Sequence, residues 1–241
     1  MYDNEYYIGD PGEQFNYWIH QDAPDNCAVA AETSIINQFG DHMSLDDASY
    51  ISASNGWYHP GSGTQFDEIG NLMDLDGIPN HTVMGGTVQQ LAAELQQGHG
   101  IIVGVNSAEI WDEGIWNDIE QFFLDAFGLG NISPADHAVV VTGLDVSNPN
   151  HPMVIINDSG VPNGAAVRYP LAQFKDAWEN SGFFYTATDV PIPNHPSPND
   201  FGFDVGNFLG LATTIVTGSP ESGMLVNMLT NADWEAILAA V

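Results

Sequence analysis

Basic residues are almost absent from this chain of 241 residues, which contains one lysine, Lys175, and one arginine, Arg168. Acidic residues number 32 and give the chain a formal net charge of −30. A field of this sign repels phosphate, so we expect no nucleic-acid partner, and anionic membrane surfaces are disfavoured for the same reason. The depletion fits a salt-rich setting, an acidic setting or export, and composition does not choose among these three.

Cysteine and long apolar runs are also scarce. The single cysteine, Cys27, excludes an intrachain disulfide and with it the small scaffolds that disulfides hold together. The longest apolar stretch, residues 208–217, has about half the length that a bilayer requires, so we expect no membrane span. We expect no N-terminal signal peptide either, because residues 1–20 contain no basic region followed by an apolar one. The location stays open between the cytoplasm and export without such a signal.

The residues that are present are typical of a globular protein, since 44% are hydrophobic and 11% aromatic. Periodicity and end signals favour helices at residues 27–39, 45–55, 64–75, 87–97 and 169–180. Short β-branched or aromatic runs favour strands at residues 101–105, 138–142, 153–156 and 183–187. Helices therefore dominate the first half and strands the second, which predicts an α+β fold with the functional site between the two parts. Residues 1–20 show no clear period and are predicted to be irregular.

Cys27 lies where the first long helix is predicted to begin, with Asp25 and Asn26 before it as N-cap candidates and Gly40 beyond the end of the helix. The N–H groups and the dipole at a helix N-terminus favour an anion, and the thiolate is the reactive form of cysteine. A lone cysteine is otherwise a small buried hydrophobe, so its neighbours must decide between the two interpretations. A cysteine nucleophile requires a base, a group that orients the base and a donor for the oxyanion.

Residues of each required type are present in a specific order. Gln21 stands six residues before Cys27, His137 opens the strand His-Ala-Val-Val-Val-Thr-Gly, and the next strand ends in Ile-Ile-Asn-Asp158. This arrangement resembles the papain-like cysteine peptidases, and within them the branch of bacteriocin-leader-processing peptidases that serve double-glycine exporters. The resemblance covers roughly residues 15–188 and departs from the usual pattern at Ser159, where proline is usual.

The resemblance implies a papain-like fold in which the nucleophile helix packs on an antiparallel sheet. It implies that Cys27 is the nucleophile, His137 the general base, Asp158 the group that orients the imidazole, and Gln21 the oxyanion donor. The expected reaction is hydrolysis of peptide bonds in a peptide or protein substrate through a thioester, with no cofactor. No transporter domain accompanies these motifs, so we expect a stand-alone bacterial relative.

Several alternatives remain open at the level of sequence. Only one of Asn157 and Asp158 can face His137, because neighbouring strand residues point to opposite faces, and Asn157 is the fallback since papain itself uses an asparagine. The same alternation argues against Asp136 as the orienting acid. A glutamine deamidase or a cell-wall peptide amidase would use the same residues, and a non-enzymatic protein-binding module would keep only the scaffold.

The predicted organisation is a catalytic domain at residues 1–188, a proline-rich linker at 189–199 and a helical appendage at 200–241. An uncleaved export signal is the alternative for the appendage, because this tail is acidic, apolar and without Lys or Arg. The histidines other than His137 show no metal-ligand spacing, so we expect no metal site. Asp74-Leu-Asp76-Gly77 matches a fragment of a calcium loop without its later ligands, which leaves loosely bound calcium open. The candidates for a substrate-cleft wall, or more commonly for core packing, are Trp57, Tyr58, Trp111 and Trp116.

Overall fold

The fold is described by a computed structural model, which covers residues 7–111, 135–148 and 150–193. Within these residues seven strands form one antiparallel sheet: β1 (Tyr7–Gly9), β4 (Asn80–Val83), β5 (Ile101–Val105), β6 (His137–Asp145), β7 (Met153–Asn157), β8 (Val167–Pro170) and β9 (Tyr185–Thr188). The strand order is β4-β9-β5-β6-β7-β8, and β1 pairs with the last part of β6. A separate hairpin is formed by β2 (Tyr58–His59) and β3 (Gly63–Thr64).

Helices cover both faces of the sheet. They are α1 (Pro11–Gln14), α2 (Cys27–Gln38), α3 (Leu45–Asn55), α4 (Asn71–Leu75), α5 (Val88–Gln97), α6 (Ser107–Ile110) and α7 (Leu171–Glu179). Successive side chains of a strand point to opposite faces, and in β5 Ile101 and Val103 pack into one apolar cluster while Ile102 packs into the other. The first cluster includes residues of α5, α6 and α7, and the second includes residues of α2, α3 and α4. The predicted α+β class is confirmed.

Most predicted helix bounds are close to the observed ones, because strong caps define them. The α3 helix has the predicted bounds, with Ser44 accepting the Asp47 N–H as its N-cap. Thr87 and Gln90 form a capping box at the start of α5, and Gly98 ends that helix at a φ of +79°. The cap predicted at the start of α2 is wrong in its mechanism, because the Asn26 side chain makes no capping hydrogen bond and instead accepts the Ala23 N–H.

Three predicted elements have wrong bounds. The helix predicted at 64–75 is interrupted, because Gly70 adopts a φ of +110° and only Asn71–Leu75 continues as α-helix, after a 3₁₀ turn at Phe66–Glu68. The helix predicted from residue 169 begins at Leu171, since Pro170 precedes it and belongs to β8. The strand predicted from residue 183 begins two residues later, because Phe183 has a positive φ of 57°.

Three strands of the seven-stranded sheet were not predicted, and neither were the two short strands of the β2–β3 hairpin. The strands β1, β4 and β8 have three or four residues each, too few for a period of two to stand out. The segment predicted to be irregular therefore contains both β1 and α1, while residues 1–6 lie outside the described residues. The β1 strand is recognisable only through its partner, since Tyr7 pairs with Asp145 and Gly9 with Gly143 across β6.

The first residues of the predicted linker lie against the domain that contains the sheet. Asp189 N–H donates to Pro79 O at 2.8 Å, and Ile192 N–H donates to Gly98 O at 2.8 Å. The rest of the predicted linker and the whole predicted appendage lie outside the described residues. In the described part of the chain, no helix is long and apolar enough to cross a membrane.

A buried carboxylate joins α2 to the start of α4. Oε2 of Glu32 accepts the N–H groups of Gly70, Leu72 and Met73 at 3.0, 3.1 and 3.3 Å. Burial raises the pKa of Glu32 from 4.5 to about 8, although these three backbone N–H groups act in the opposite direction. Glu32 thus supplies the acceptor that the N-terminus of α4 requires.

Glu32 should make the stability of the fold depend on pH. Its folded-state pKa lies above the unfolded-state value, so the stabilisation that protonation gives is lost as the pH rises from about 4.5 to about 8. Glu32→Gln keeps an acceptor oxygen and does not titrate. Relative to the wild type, the free energy of unfolding of Glu32→Gln should therefore rise between about pH 5 and about pH 8, by up to about 1.4 kcal/mol per pH unit. Urea unfolding at the two pH values measures this difference.

The matched control is Glu179→Gln, which removes an exposed charge at the end of α7. Its difference from the wild type should be the same at both pH values. A Glu32→Gln difference that is equally independent of pH contradicts the prediction.

Candidate active site

Cys27 is the first residue of α2, and this helix packs on the antiparallel sheet against β6. The thiol therefore lies among the first N–H groups of a helix of 12 residues, where an anion is favoured. Cys27 is 9% exposed, which leaves its sulfur reachable from a neighbouring cleft. Cys27 therefore lies at the start of a helix, as predicted.

His137 and Asp158 form a buried pair beside Cys27. His137 opens β6 and Asp158 directly follows β7, so two adjacent antiparallel strands bring them together. Nε2 of His137 lies 2.7 Å from Oδ1 of Asp158, and Cys27 lies close enough to the imidazole to raise the pKa of His137. The Asp158 side chain is fully buried and that of His137 nearly so.

The electrostatics of this pair favour the charged forms of both groups. Burial alone lowers the pKa of His137, but the negative charge and hydrogen bond of Asp158, followed by the contacts with Cys27, raise this pKa well above its usual value. For Asp158, burial raises the pKa, and the His137 charge together with its hydrogen bonds reverses this and lowers the pKa below its usual value. An imidazolium that stays charged is the partner a thiolate needs.

The two alternatives to Asp158 have other contacts. The Asn157 side chain donates to Gln14 O at 2.8 Å and accepts the Ala166 N–H at 2.9 Å, so it fixes α1 and the loop before β8. The Asp136 carboxylate accepts the N–H and the hydroxyl of Ser107 at 2.7 and 2.8 Å. Asp158 therefore faces His137, whereas its neighbour Asn157 points the other way and makes structural hydrogen bonds, as strand alternation predicts.

Gln21 lies beside the residue that follows Asp158. Its backbone N–H donates to Ser159 O at 3.0 Å, and its side-chain oxygen accepts the Ser159 hydroxyl at 3.1 Å. The side-chain nitrogen donates to Ala23 O at 2.9 Å. Gln21 is buried and does not belong to the described lining of the cleft next to Cys27. The structure therefore brings Gln21 to the Asp158 loop and leaves one hydrogen of its amide for a further acceptor.

The cleft beside Cys27 has a volume of about 320 Å³. Among the described residues, its walls combine the nucleophile helix, the β3 hairpin and the start of β6. The lining residues are Asp25, Cys27, Ala28, Ser62, Gly63, Thr64, Gln65, Phe66, Ile69, Ala135, Asp136, His137 and Ala138. The cleft is therefore bordered by both Cys27 and His137.

Asp25 fixes one wall of the cleft to the start of α2. Its carboxylate accepts the Tyr58 hydroxyl at 2.7 Å and also the N–H of Gly61 in the hairpin. Burial, and then the hydrogen bond to Asp25, raise the pKa of Tyr58 above its usual value. Tyr58 is thus buried behind the wall and does not line the cleft, and Trp57 packs partly buried against the core on that side.

Two tryptophans and a glycine near Asp158 have contacts that sequence patterns did not predict. Trp111 Nε1–H donates to Asp158 Oδ2 at 2.9 Å, and Trp18 Nε1–H donates to Asp158 O at 2.6 Å. A Cβ on Gly160 would lie 3.0 Å from the His137 ring and 3.1 Å from the Trp111 ring, so a side chain there would displace them. Trp111 was predicted to line the cleft or to pack in the core, and no sequence signal indicated its hydrogen bond to Asp158. Trp116, the other candidate, lies outside the described residues.

Several other ionisable groups have structural contacts in the described residues. His99 Nδ1 lies 2.5 Å from Glu94 Oε2, and His81 Nδ1 lies 2.7 Å from Asp189 Oδ1. In the calcium-loop fragment Asp74 accepts from Asn80 at 2.9 Å. No three His, Cys, Asp or Glu side chains of residues 7–111, 135–148 and 150–193 are arranged to hold a metal ion.

Solved structures with this architecture include one from Bacillus anthracis described as a C39-like peptidase, with a TM-score of 0.51 and 14% identity over 72% of this chain and 94% of that chain. Another is the peptidase domain of Streptococcus ComA, a bifunctional ABC transporter of a quorum-sensing pathway, with a TM-score of 0.48 and 16% identity over 72% and 97% of the two chains. At this identity the likeness to the first structure shows the fold, and the predicted papain-like fold is confirmed.

Sequence relatives extend over most of the chain. Uncharacterized proteins of Mycobacterium tuberculosis and Mycobacterium bovis are each 28% identical over 206 residues, which covers 75% of this chain and 83% of each relative. The model of the Peptidase_C39 like family matches residues 13–185. This match includes Gln21, Cys27, His137 and Asp158, and it confirms the resemblance that these residues predicted. The chain belongs to the Peptidase_C39 like family.

Proposed function

We propose that this protein is a cysteine peptidase that hydrolyses peptide bonds with Cys27 as its nucleophile. The observation that carries the proposal is the buried His137–Asp158 pair, hydrogen-bonded at 2.7 Å, whose imidazole contacts a thiol at a helix N-terminus beside an open cleft. Nucleophile, base and orienting group thus stand in the order that nucleophilic catalysis requires. The family membership supports a peptidase over other hydrolases on the same scaffold.

In the proposed mechanism the two nitrogens of His137 have different roles. Because an ionised carboxylate only accepts hydrogen bonds, Nε2 carries a hydrogen and donates to Asp158. Nδ1 is then the nitrogen that receives the Cys27 proton, and the resulting imidazolium is stabilised by the Asp158 charge. Asp158 thereby sets both the orientation and the charge of the base.

In the proposed reaction the Cys27 thiolate attacks the peptide carbonyl carbon. The oxyanion accepts hydrogen bonds from the Cys27 backbone N–H and from the second amide hydrogen of Gln21. His137 Nδ1–H protonates the leaving amine, which departs and leaves a thioester. Water then attacks the thioester while His137 takes up a water proton, and the carboxylic acid product frees Cys27.

The first test is alkylation of the native protein with iodoacetamide at about pH 6, where an ordinary thiol is mostly protonated and reacts slowly. Cys27 is the only cysteine, so a single adduct in the intact mass reports on it alone. We expect labelling at least about tenfold faster than that of the unfolded chain, because the imidazolium and the helix N-terminus favour the thiolate. His137→Ala should remove this advantage, and Cys27→Ala should remove any peptide hydrolysis.

A native thiol that reacts no faster than the unfolded one contradicts the proposed function. Peptide products also separate the proposal from the alternatives on this scaffold, since chain cleavage produces two fragments. A mass increase of about one dalton without cleavage would indicate a glutamine deamidase, because both reactions pass through the same acyl intermediate.

The charge of the cleft supports a proposal about the substrate. Asp25 and Asp136 both line the cleft, and Lys175 and Arg168, on α7 and β8, are the only Lys and Arg of the full sequence. Whatever side chains complete the cleft, none of them is another Lys or Arg. A cleft lined by negatively charged carboxylates attracts positively charged ligands. We therefore propose that the enzyme prefers peptides that are basic or neutral next to the scissile bond.

This preference is measurable on Cys27 without a known substrate. The cationic reagent 2-aminoethyl methanethiosulfonate should modify Cys27 at least about tenfold faster than the anionic 2-sulfonatoethyl reagent, after each rate is divided by that of the unfolded chain. Raising the ionic strength from about 0.01 M to about 0.15 M should reduce this ratio, because the screening length falls from about 30 Å to about 8 Å. Equal normalised rates, or a faster anionic reagent, contradict the proposed preference and leave the peptidase proposal standing.

A further inference from the structure

The short helix α6 and its two capping residues touch the candidate active site. The helix follows β5 directly, with Asn106 as its N-cap and Trp111 as its C-cap. We call residues 106–111 the 106–111 clasp. Its backbone is fixed by neighbours on α7: Asn106 N–H donates to Ala177 O at 2.9 Å, and the Gln173 side chain donates to Ile110 O at 3.0 Å.

The first end of the clasp is bonded to the residue before His137. Ser107 donates its N–H and its hydroxyl to the two carboxylate oxygens of Asp136, at 2.7 and 2.8 Å. Asp136 N–H in turn donates to Val105 O at 3.1 Å, in the strand that precedes the clasp. These bonds fix the backbone at the point where β6 begins, and therefore the origin of the His137 side chain.

The second end is bonded to the partner of His137. Trp111 Nε1–H donates to Asp158 Oδ2 at 2.9 Å, while Oδ1 of the same carboxylate faces His137. The Trp111 ring lies against the imidazole, with ring centroids 5.2 Å apart. Gly160 N–H also donates to Oδ1, at 2.8 Å. The bond from Trp111 to Oδ2 therefore holds the second oxygen and prevents the carboxylate from rotating.

These contacts close a ring that runs from His137 to Asp158, to Trp111, through α6 to Ser107, and back through Asp136 to His137. We propose that the 106–111 clasp is the positioning element of the active site, and that Trp111 is a positioning residue that acts on His137 through Asp158. The proposal rests on the proposed function, because it concerns the same base. A carboxylate held at both oxygens keeps its lone pair aimed at Nε2, which stabilises the imidazolium.

The test is the pH dependence of Cys27 alkylation by iodoacetamide in Trp111→Phe. A smaller aromatic ring replaces the indole and its N–H is lost, so Asp158 stabilises the imidazolium less and the thiolate forms at a higher pH. We expect the midpoint of the acid limb of the rate profile to rise by about one pH unit, which is about a tenfold slower reaction on that limb. The matched control is Trp178→Phe, which loses a buried Nε1–H bond of 2.7 Å to Phe184 O away from the site. It should leave the midpoint unchanged.

A double-mutant comparison separates action through Asp158 from a general loss of packing. In an Asp158→Ala background the Trp111 N–H has lost this acceptor, so adding Trp111→Phe should move the midpoint no further. Ser107→Ala removes one hydroxyl at the other end and should raise the midpoint by a smaller amount. It also serves as the second variant if Trp111→Phe does not fold.

Each outcome of these experiments either supports or contradicts the positioning role of the 106–111 clasp. A raised midpoint in Trp111→Phe that vanishes in the Asp158→Ala background supports the clasp. A wild-type midpoint in both Trp111→Phe and Ser107→Ala overturns it, as does a shift that adds fully to that of Asp158→Ala. If the wild-type thiol itself shows no acid-shifted profile, the proposed function fails first, and the two failures are thereby distinguished.

Discussion

The architecture around the site depends on the burial of one carboxylate. The Asp158 side chain has no exposed surface, and an ionised carboxylate without partners would cost several kcal/mol in such a place. Three donors satisfy it: the His137 imidazole, the Trp111 indole and the Gly160 backbone N–H. Each donor comes from a different segment, so β6, the end of α6 and the loop after β7 must all be in place before the carboxylate can be buried.

That requirement couples the His137–Asp158 pair to the fold. Hydrogen bonds from His137, Trp111 and Gly160 lower the pKa of Asp158, and the negative charge of Asp158 in turn raises the pKa of His137. Loosening any of the three donors therefore affects stability and chemistry together. The opposite case is Glu32, whose burial raises its pKa and whose three backbone donors serve helix packing alone.

The sequence predicted the parts of the site that local patterns encode. A helix start at Cys27, a strand start at His137 and a strand end before Asp158 are visible because caps and β-branched runs are local signals. The α+β class and the family followed from the same residues. The extent of the helix after Thr64 was not predictable, because the interruption depends on Gly70 donating its N–H to Glu32 across the core.

What the sequence did not show are contacts between distant segments. The bond from Trp111 to Asp158 joins residues 47 positions apart, and an isolated tryptophan carries no signal of its partner. The short strand β1 is likewise defined by β6, since three residues have no period of their own. Pairing and side-chain recognition over such separations are tertiary properties, which composition and periodicity do not contain.

The departure at Ser159 illustrates how such a contact changes the meaning of a residue. Proline, usual at this position, has no hydroxyl, whereas Ser159 donates one to the side-chain oxygen of Gln21 at 3.1 Å. The Ala23 carbonyl only accepts, so it holds the Gln21 nitrogen on the opposite side, at 2.9 Å. The bond to Ala23 therefore fixes the orientation of the amide, and the Ser159 hydroxyl, which can donate or accept, donates to the oxygen in that orientation. Ser159 therefore attaches Gln21 to the loop that follows Asp158 by a side-chain bond that a proline could not make, so the residue that departs from the sequence pattern holds two of the predicted site residues together.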